Sequence, residues 1–229
     1  MAKRSSDAPS KGEATKQRIL DCALASFRKH GVAQTTMRDV AEAAGMSLGA
    51  AYHYFPSKDA IVAGYFEWMQ DEHERRLADA PPGSVAARLQ RVLETKIEIV
   101  RKDRKIIDAQ LGHLGDPSDP LSLFSDETAS LRRRSIALFE RVFEGTGASP
   151  QLHALAGYAA WLVHLGILFA MVQDRSRDQR WVRLLISSAS ELFGLAMAFA
   201  DTPLGRPFVE RAIALAVQLG VPGVVPLRE

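Results

Sequence analysis

The chain has one cysteine, Cys22, among 229 residues, so it can close no intramolecular disulfide, and nothing in it points to an oxidising compartment. Cys22 itself reads as a small core residue. Strand signals are nearly absent, because runs of alternating β-branched residues do not occur. The first thirteen residues, MAKRSSDAPSKGE, lack the apolar run of a signal peptide and are expected to form a flexible basic tail. No H-E-x-x-H, G-x-S-x-G or P-loop pattern is present, and Gly145-Thr146-Gly147 reads as a helix terminator. Neither catalysis nor a cofactor is therefore expected. A metal site is not expected either, because His153 and His164 share a helix face but stand about 16 Å apart at about 1.5 Å per residue.

Charge is also scarce in sum. A formal net charge of +2 gives no general affinity for polyanions, yet its distribution is uneven. Residues 1–60 hold nine Lys or Arg against six acids, which places +3 there and −1 on the rest. A content of 47% hydrophobic and 24% charged residues fits a soluble globular protein with a full core, expected in the cytoplasm. The apolar stretch Ala154–Val172 has the length of a membrane span, but His164 near its centre and the lack of a second span favour a helix buried between a core and a dimer interface.

What is present is helical periodicity almost everywhere. Helices are expected at about 14–30, at 37–44 capped by Thr36, from Ser47 to Pro56, and from Ser57 to about Ala80. Others follow at 84–101, 104–112, from Ser125 to Glu144, at 150–173, at 179–199, and to near Leu219. The fold class is all-α, with about ten helices in total. Three parts are expected: a tail at 1–13, a three-helix unit at 14–60, and a larger helical domain at 61–229.

The two short helices joined through Gly45, Met46 and Ser47 fit a helix-turn-helix, whose second member lies in a major groove of DNA. Such a helix has to be short, backed by apolar residues, and small or polar outside. Val40, Ala41, Ala44, Ala51 and Phe55 supply the backing. Gly49 and Ala50 let the backbone approach base edges, Tyr52 and Tyr54 offer hydroxyls to phosphates, His53 suits a base edge or a phosphate, and Lys58 sits at a helix start that favours an anion. Each tyrosine has an alternative role, packing against the first helix.

From Thr15 to Ile61 the sequence resembles the N-terminal domain of the TetR family of transcriptional repressors. The matching residues are Gly31, Thr35, Thr36, Asp39, Val40, Ala41, Ala44, Gly45, Ser47, Gly49, Tyr52, Tyr54, Phe55 and Lys58. The resemblance implies a DNA-reading helix beginning at Ser47 and contacts from Thr36, Leu48, Gly49, Ala50, Tyr52, His53, Tyr54 and Lys58. Met46 departs from the family's valine and Ala51 from its leucine, while Leu48, being apolar, suits a thymine methyl better than a hydrogen bond. Also implied are a palindromic operator, a homodimer through helices 150–173 and 179–199, and a small-molecule inducer in the C-terminal domain. Ala156, Gly157 and Ala160 permit close approach of another helix.

For a ligand cavity the candidates are Trp68, His113, Phe124, Trp161 and His164, aromatic and imidazole groups among apolar neighbours. The alternative is that the tryptophan is core and the histidine a satisfied buried group. Arg132, Arg133 and Arg134 cannot line one helix face and read as a solvated surface. A protein of the same shape without a small-molecule inducer, controlled by a protein partner or organising the chromosome, is the competing function.

Overall fold

The computed structural model describes residues 10–224, and among these the chain is ten α-helices and no strand. The expected tail falls mostly on residues 1–9, outside the described residues. Helix α1, Lys11–His30, begins three residues earlier than periodicity suggests. Ser10 and Glu13 form a reciprocal capping box, the Glu13 N–H donating to Ser10 Oγ at 3.2 Å and the Ser10 N–H donating to the Glu13 carboxylate at 2.7 Å. Thr36 and Asp39 repeat the motif ahead of α2, Met37–Ala43. Gly45, at φ +64°, turns the chain into α3, Leu48–Tyr54, which Ser47 caps by accepting from the Ala50 N–H.

These three helices close over a small core of Ile19, Ala23, Leu24, Phe27, Val40, Ala51 and Phe55. Burial of each large apolar chain contributes roughly 1.5–3 kcal/mol. Helix α4, Lys58–Leu77, leaves this head and enters the body. There it meets α5 (Val85–Val100), α6 (Arg104–Gly112), α7 (Ala129–Glu140), α8 (Pro150–Gln173), α9 (Arg180–Ala200) and α10 (Arg206–Gln218). Helix α8 is the central member, packed against α5, α6, α7, α9 and α10.

Helix α7 is shorter than expected. Ser125 does not start it, because residues 122–128 are taken up by turns: the Ser125 hydroxyl donates to the Ser122 carbonyl at 3.0 Å, and the Thr128 hydroxyl reaches the same carbonyl at 2.7 Å. The arginine run is also not a uniform solvated face. Arg134 pairs with Glu67, Asp71 and Glu74 of α4, while Arg132 donates to the carbonyls of Leu123 and Ser125.

The small residues of α8 serve contacts inside the chain. A Cβ on Gly157 would stand 2.9 Å from the Glu140 Cα and 3.0 Å from its backbone nitrogen. Gly157→Val is therefore expected to force α7 and α8 apart, at about 1–3 kcal/mol, lowering the Tm by roughly 2–10 °C in calorimetry. A Tm unchanged from that of the parent would mean that the two helices are not in contact there.

Head and body are tied at one buried carboxylate. Asp103, 1% exposed, accepts from Arg28 Nε of α1 at 2.5 Å and from the Tyr65 hydroxyl of α4 at 2.8 Å. Burial and the neighbouring Asp103 push the Tyr65 phenol well up, so it stays a donor. Beside it, Lys105 Nζ donates to the Lys29 carbonyl at 2.7 Å.

Candidate functional site

Two regions concentrate the expected site residues. The first is the outer face of α3. Ala51 is fully buried and Leu48 and Tyr54 are partly buried against the head's core, whereas Ser47, Gly49, Tyr52 and His53 are exposed. No atom lies within 4 Å of where a Gly49 side chain would begin. Glycine costs a helix about 1 kcal/mol relative to alanine, and nothing in the chain's own packing calls for it there. Ala50 is half-buried beside it, and the His53 and Tyr54 rings meet edge-on at 5.4 Å between centroids.

Two of the expected polar groups have partners within the chain. The Thr36 hydroxyl donates to the Asp39 carboxylate at 2.7 Å while capping α2, and Lys58 Nζ donates to the Ala33 carbonyl at 3.4 Å. Lys58 is thus the first residue of α4 and also a brace on the turn between α1 and α2.

The second region is a cavity enclosed by α4, α5, α6, α7 and α8, with a volume of about 40 Å³. Trp161 and His164 line it. Phe124, 40% exposed, meets the Trp161 ring edge-on at 6.0 Å without lining the cavity. Trp68 and His113 lie elsewhere. Trp68 stacks on Tyr65 at 6.0 Å, and His113 Nδ1 pairs with Asp119 at 2.5 Å within the segment after α6.

Sequence reading missed the polar wall of this cavity. Lys96 is 1% exposed, and no hydrogen bond or ion pair of its ammonium occurs among the described residues. Gln70, Gln110, Arg132 and Ser135 join it. Lys96 stands in an amphipathic helix, where a lysine normally faces water, so no pattern marked it; only the approach of α4 and α8 encloses it.

Both nitrogens of His164 and the Oε1 of Gln110 lack partners among the described residues. The Trp161 carbonyl three residues back lies near the His164 ring but outside hydrogen-bond geometry. Burial, then the charge of Lys96, holds His164 well below the ordinary histidine range, so the ring is neutral. His73, on the neighbouring turn of α4, is pushed down to about 3 by burial and by Lys96, and its Nε2–H donates to the Val92 carbonyl at 2.9 Å. Burial lowers Lys96 to about 7, against the opposing charge of Glu74. No group of three or more metal-ligating side chains occurs among the described residues.

A third feature is apolar surface. On α8 and α9, Leu162, Phe169, Trp181, Leu184, Leu185, Leu192, Leu195 and Phe199 are exposed, as are Phe208 and Leu215 on α10 and Leu219 just after it. Contrary to the expectation that a second span is lacking, both α8 and α9 with the turn before it are long and apolar enough to cross a membrane by length and composition. Half of the most apolar stretch of α8 is buried within the protein, as expected of a core helix.

Residues 19–65 match the model of the bacterial regulatory proteins of the tetR family. The transcriptional repressor KstR2 of Mycobacterium tuberculosis is 38% identical over 55 residues, which cover 22% of this chain and 28% of that protein. The chain spans about a third of the length of the curated relatives it matches. A tetR-family transcriptional regulator from Streptomyces coelicolor superposes with a TM-score of 0.61 at 20% identity, over 90% of this chain and 98% of that one. SmeT in its complex with triclosan superposes with a TM-score of 0.55 at 23% identity, over 78% of this chain and 90% of that one. Residues 19–65 thus match the TetR family of bacterial regulatory proteins, and the chain shares the fold of TetR-family regulators.

Proposed function

We propose that the protein is a sequence-specific transcriptional repressor that binds a palindromic operator as a homodimer and leaves it when a small molecule enters the C-terminal domain. One observation carries the reading. Helix α3 is held from behind by Ala51 and presents Gly49, Tyr52 and His53 outward, with nothing of the chain in front of Gly49. A two-fold dimer places two such helices in successive major grooves about 34 Å apart. Tyr52 and Tyr54 meet phosphates, Ser47, Leu48, Gly49, Ala50 and His53 face the bases, and Thr36 and Lys58 flank them on the backbone. That KstR2 is a transcriptional repressor and that SmeT forms a complex with triclosan supports both halves of the proposal. A DNA-binding role places the protein in the cytoplasm, with regulation and not catalysis as its activity.

Tyr52→Ala and Lys58→Ala are each expected to weaken binding to the protein's own genomic site by about tenfold or more. The Lys58 variant also lowers the salt dependence by about one phosphate contact per subunit. Fluorescence anisotropy on DNA fragments recovered with the protein measures both effects. Unchanged affinity in both variants would remove α3 from the groove.

A second reading is favoured by the size of the cavity. At about 40 Å³ it holds a few waters, whereas pockets for drug-sized ligands run to roughly 300–1,000 Å³. A DNA-binding protein of this shape without an inducer, controlled by a protein partner or organising the chromosome, would occupy many genomic regions in place of a few palindromes.

A further inference from the structure

Resting on the reading that the C-terminal domain holds an effector, we propose that this effector is an apolar monocarboxylic acid, its carboxylate held by the Lys96 ammonium and the His164 ring. Buried polar groups in folded proteins nearly always have partners, and a buried ammonium without one is costly. Here the two unpartnered nitrogens of His164 lie on the same cavity as Lys96, which is 1% exposed and whose ammonium makes no hydrogen bond or ion pair among the described residues.

The charges around the cavity decide the sign of the ligand. From α5 comes Lys96, from α7 Arg132, from α8 the neutral His164, and from α4 the neutral His73 close by. The one nearby acid that acts on Lys96 is Glu74 of α4, and its carboxylate already accepts from Arg134 at 2.8 and 3.1 Å and from Gln70 at 3.0 Å. Arg132 is committed to the carbonyls of Leu123 and Ser125. A neutral guest would satisfy the imidazole but leave Lys96 without a counter-charge. A carboxylate satisfies both, accepting from the ammonium and from a ring N–H.

The rest of the wall sets the body of the ligand. Phe66, Met69, Ile107, Leu131, Leu165 and Leu168 surround the cavity with hydrocarbon. A single charge fits one ammonium, and these walls offer a second charge no further partner. The wall that lacks helix is the segment between α6 and α7, which carries Leu123 and the two carbonyls that hold Arg132. Outward displacement of that segment makes room for the acid.

Proton linkage gives a second signature. With Lys96 at about 7, the empty site is about half protonated near neutrality, and the carboxylate selects the charged form. Affinity is then flat below about pH 7 and falls by about tenfold per pH unit above it.

Titration calorimetry on the full-length protein, with hexanoate and with 1-hexanol of the same shape, tests the proposal. Hexanoate is expected to bind at least tenfold more tightly than hexanol and to weaken as the pH rises from 7 to 9. Lys96→Met is expected to abolish the preference and the pH dependence while still binding hexanol. Equal binding of the two probes, no binding of hexanoate at millimolar concentration, or a preference that survives in Lys96→Met would each overturn the assignment. Anisotropy on genomic DNA, without either probe, separates this from the repressor reading. Acid binding without DNA binding leaves the ligand assignment standing and removes the repressor, while DNA binding without acid binding does the reverse.

Discussion

Leu192→Glu combined with Leu195→Glu is expected to convert the protein to a monomer at micromolar concentration, and with it to lose at least a thousandfold in operator affinity. The two leucines are 65% and 68% exposed on α9, one turn apart, in a face that also carries Trp181, Leu184, Leu185 and Phe199. Soluble monomers rarely leave a contiguous apolar face of this extent uncovered. The proposed homodimer covers it by laying α8 and α9 against the same pair from a second copy, in a four-helix arrangement. Four carboxylates would then enter one interface, each desolvated at a cost of several kcal/mol, which exceeds what a dimer of ordinary size can absorb. Sedimentation velocity reads the mass directly. A variant that remains dimeric would move the contact to α10, whose Phe208 and Leu215 are also exposed. Loss of DNA binding without loss of the dimer would separate the two roles.

Lys96→Met is expected to stabilise the fold by about 3–5 kcal/mol at pH 7. Lys96 falls from 10.5 in the unfolded chain to about 7 in the folded one, and each unit corresponds to about 1.36 kcal/mol. The unfolded state holds the proton up to about pH 10.5 and the folded state only to about pH 7. The wild type therefore gains stability as pH rises between those values, and the penalty is complete below about 7. The gain in the methionine variant should accordingly be largest at pH 6–7 and shrink towards pH 10. Urea titrations at pH 6.5 and 9.5 measure it. A variant less stable than the wild type at pH 6.5 would mean that Lys96 already has a counter-charge. Retaining so costly a group in the core is what a site kept for binding looks like.

The head of this fold was legible because its signals are local. Ser10, Thr36, Ser47 and Ser57 each accept from an N–H three residues on, and Gly45 takes the positive φ that a tight turn demands. Such bonds depend on neighbours in the chain, so pattern reading finds them. The body was legible only in outline. The sequence pattern starts α7 four residues too early, because the Ser125 hydroxyl bonds to the Ser122 carbonyl and does not cap a helix. Trp161 and His164 were found on the cavity, but Trp68 and His113 were not, since Trp68 turns towards Tyr65 and His113 towards Asp119. Lys96 and Gln70 were missed altogether. Their burial arises from the crossing of α4, α5 and α8, a long-range fact that a single helix's spacing does not record.

The Asp103 junction has a practical consequence for anyone exchanging DNA-reading heads between regulators of this shape. A graft that ends near residue 60 would bring in a new first helix while retaining Asp103 and Tyr65 in the recipient body. Unless the donor head carries an arginine in register with Arg28, the carboxylate is left with Tyr65 alone, and the hybrid begins life strained at its own neck. Compatibility of two parts would then turn on a single guanidinium, whatever the two sequences share elsewhere.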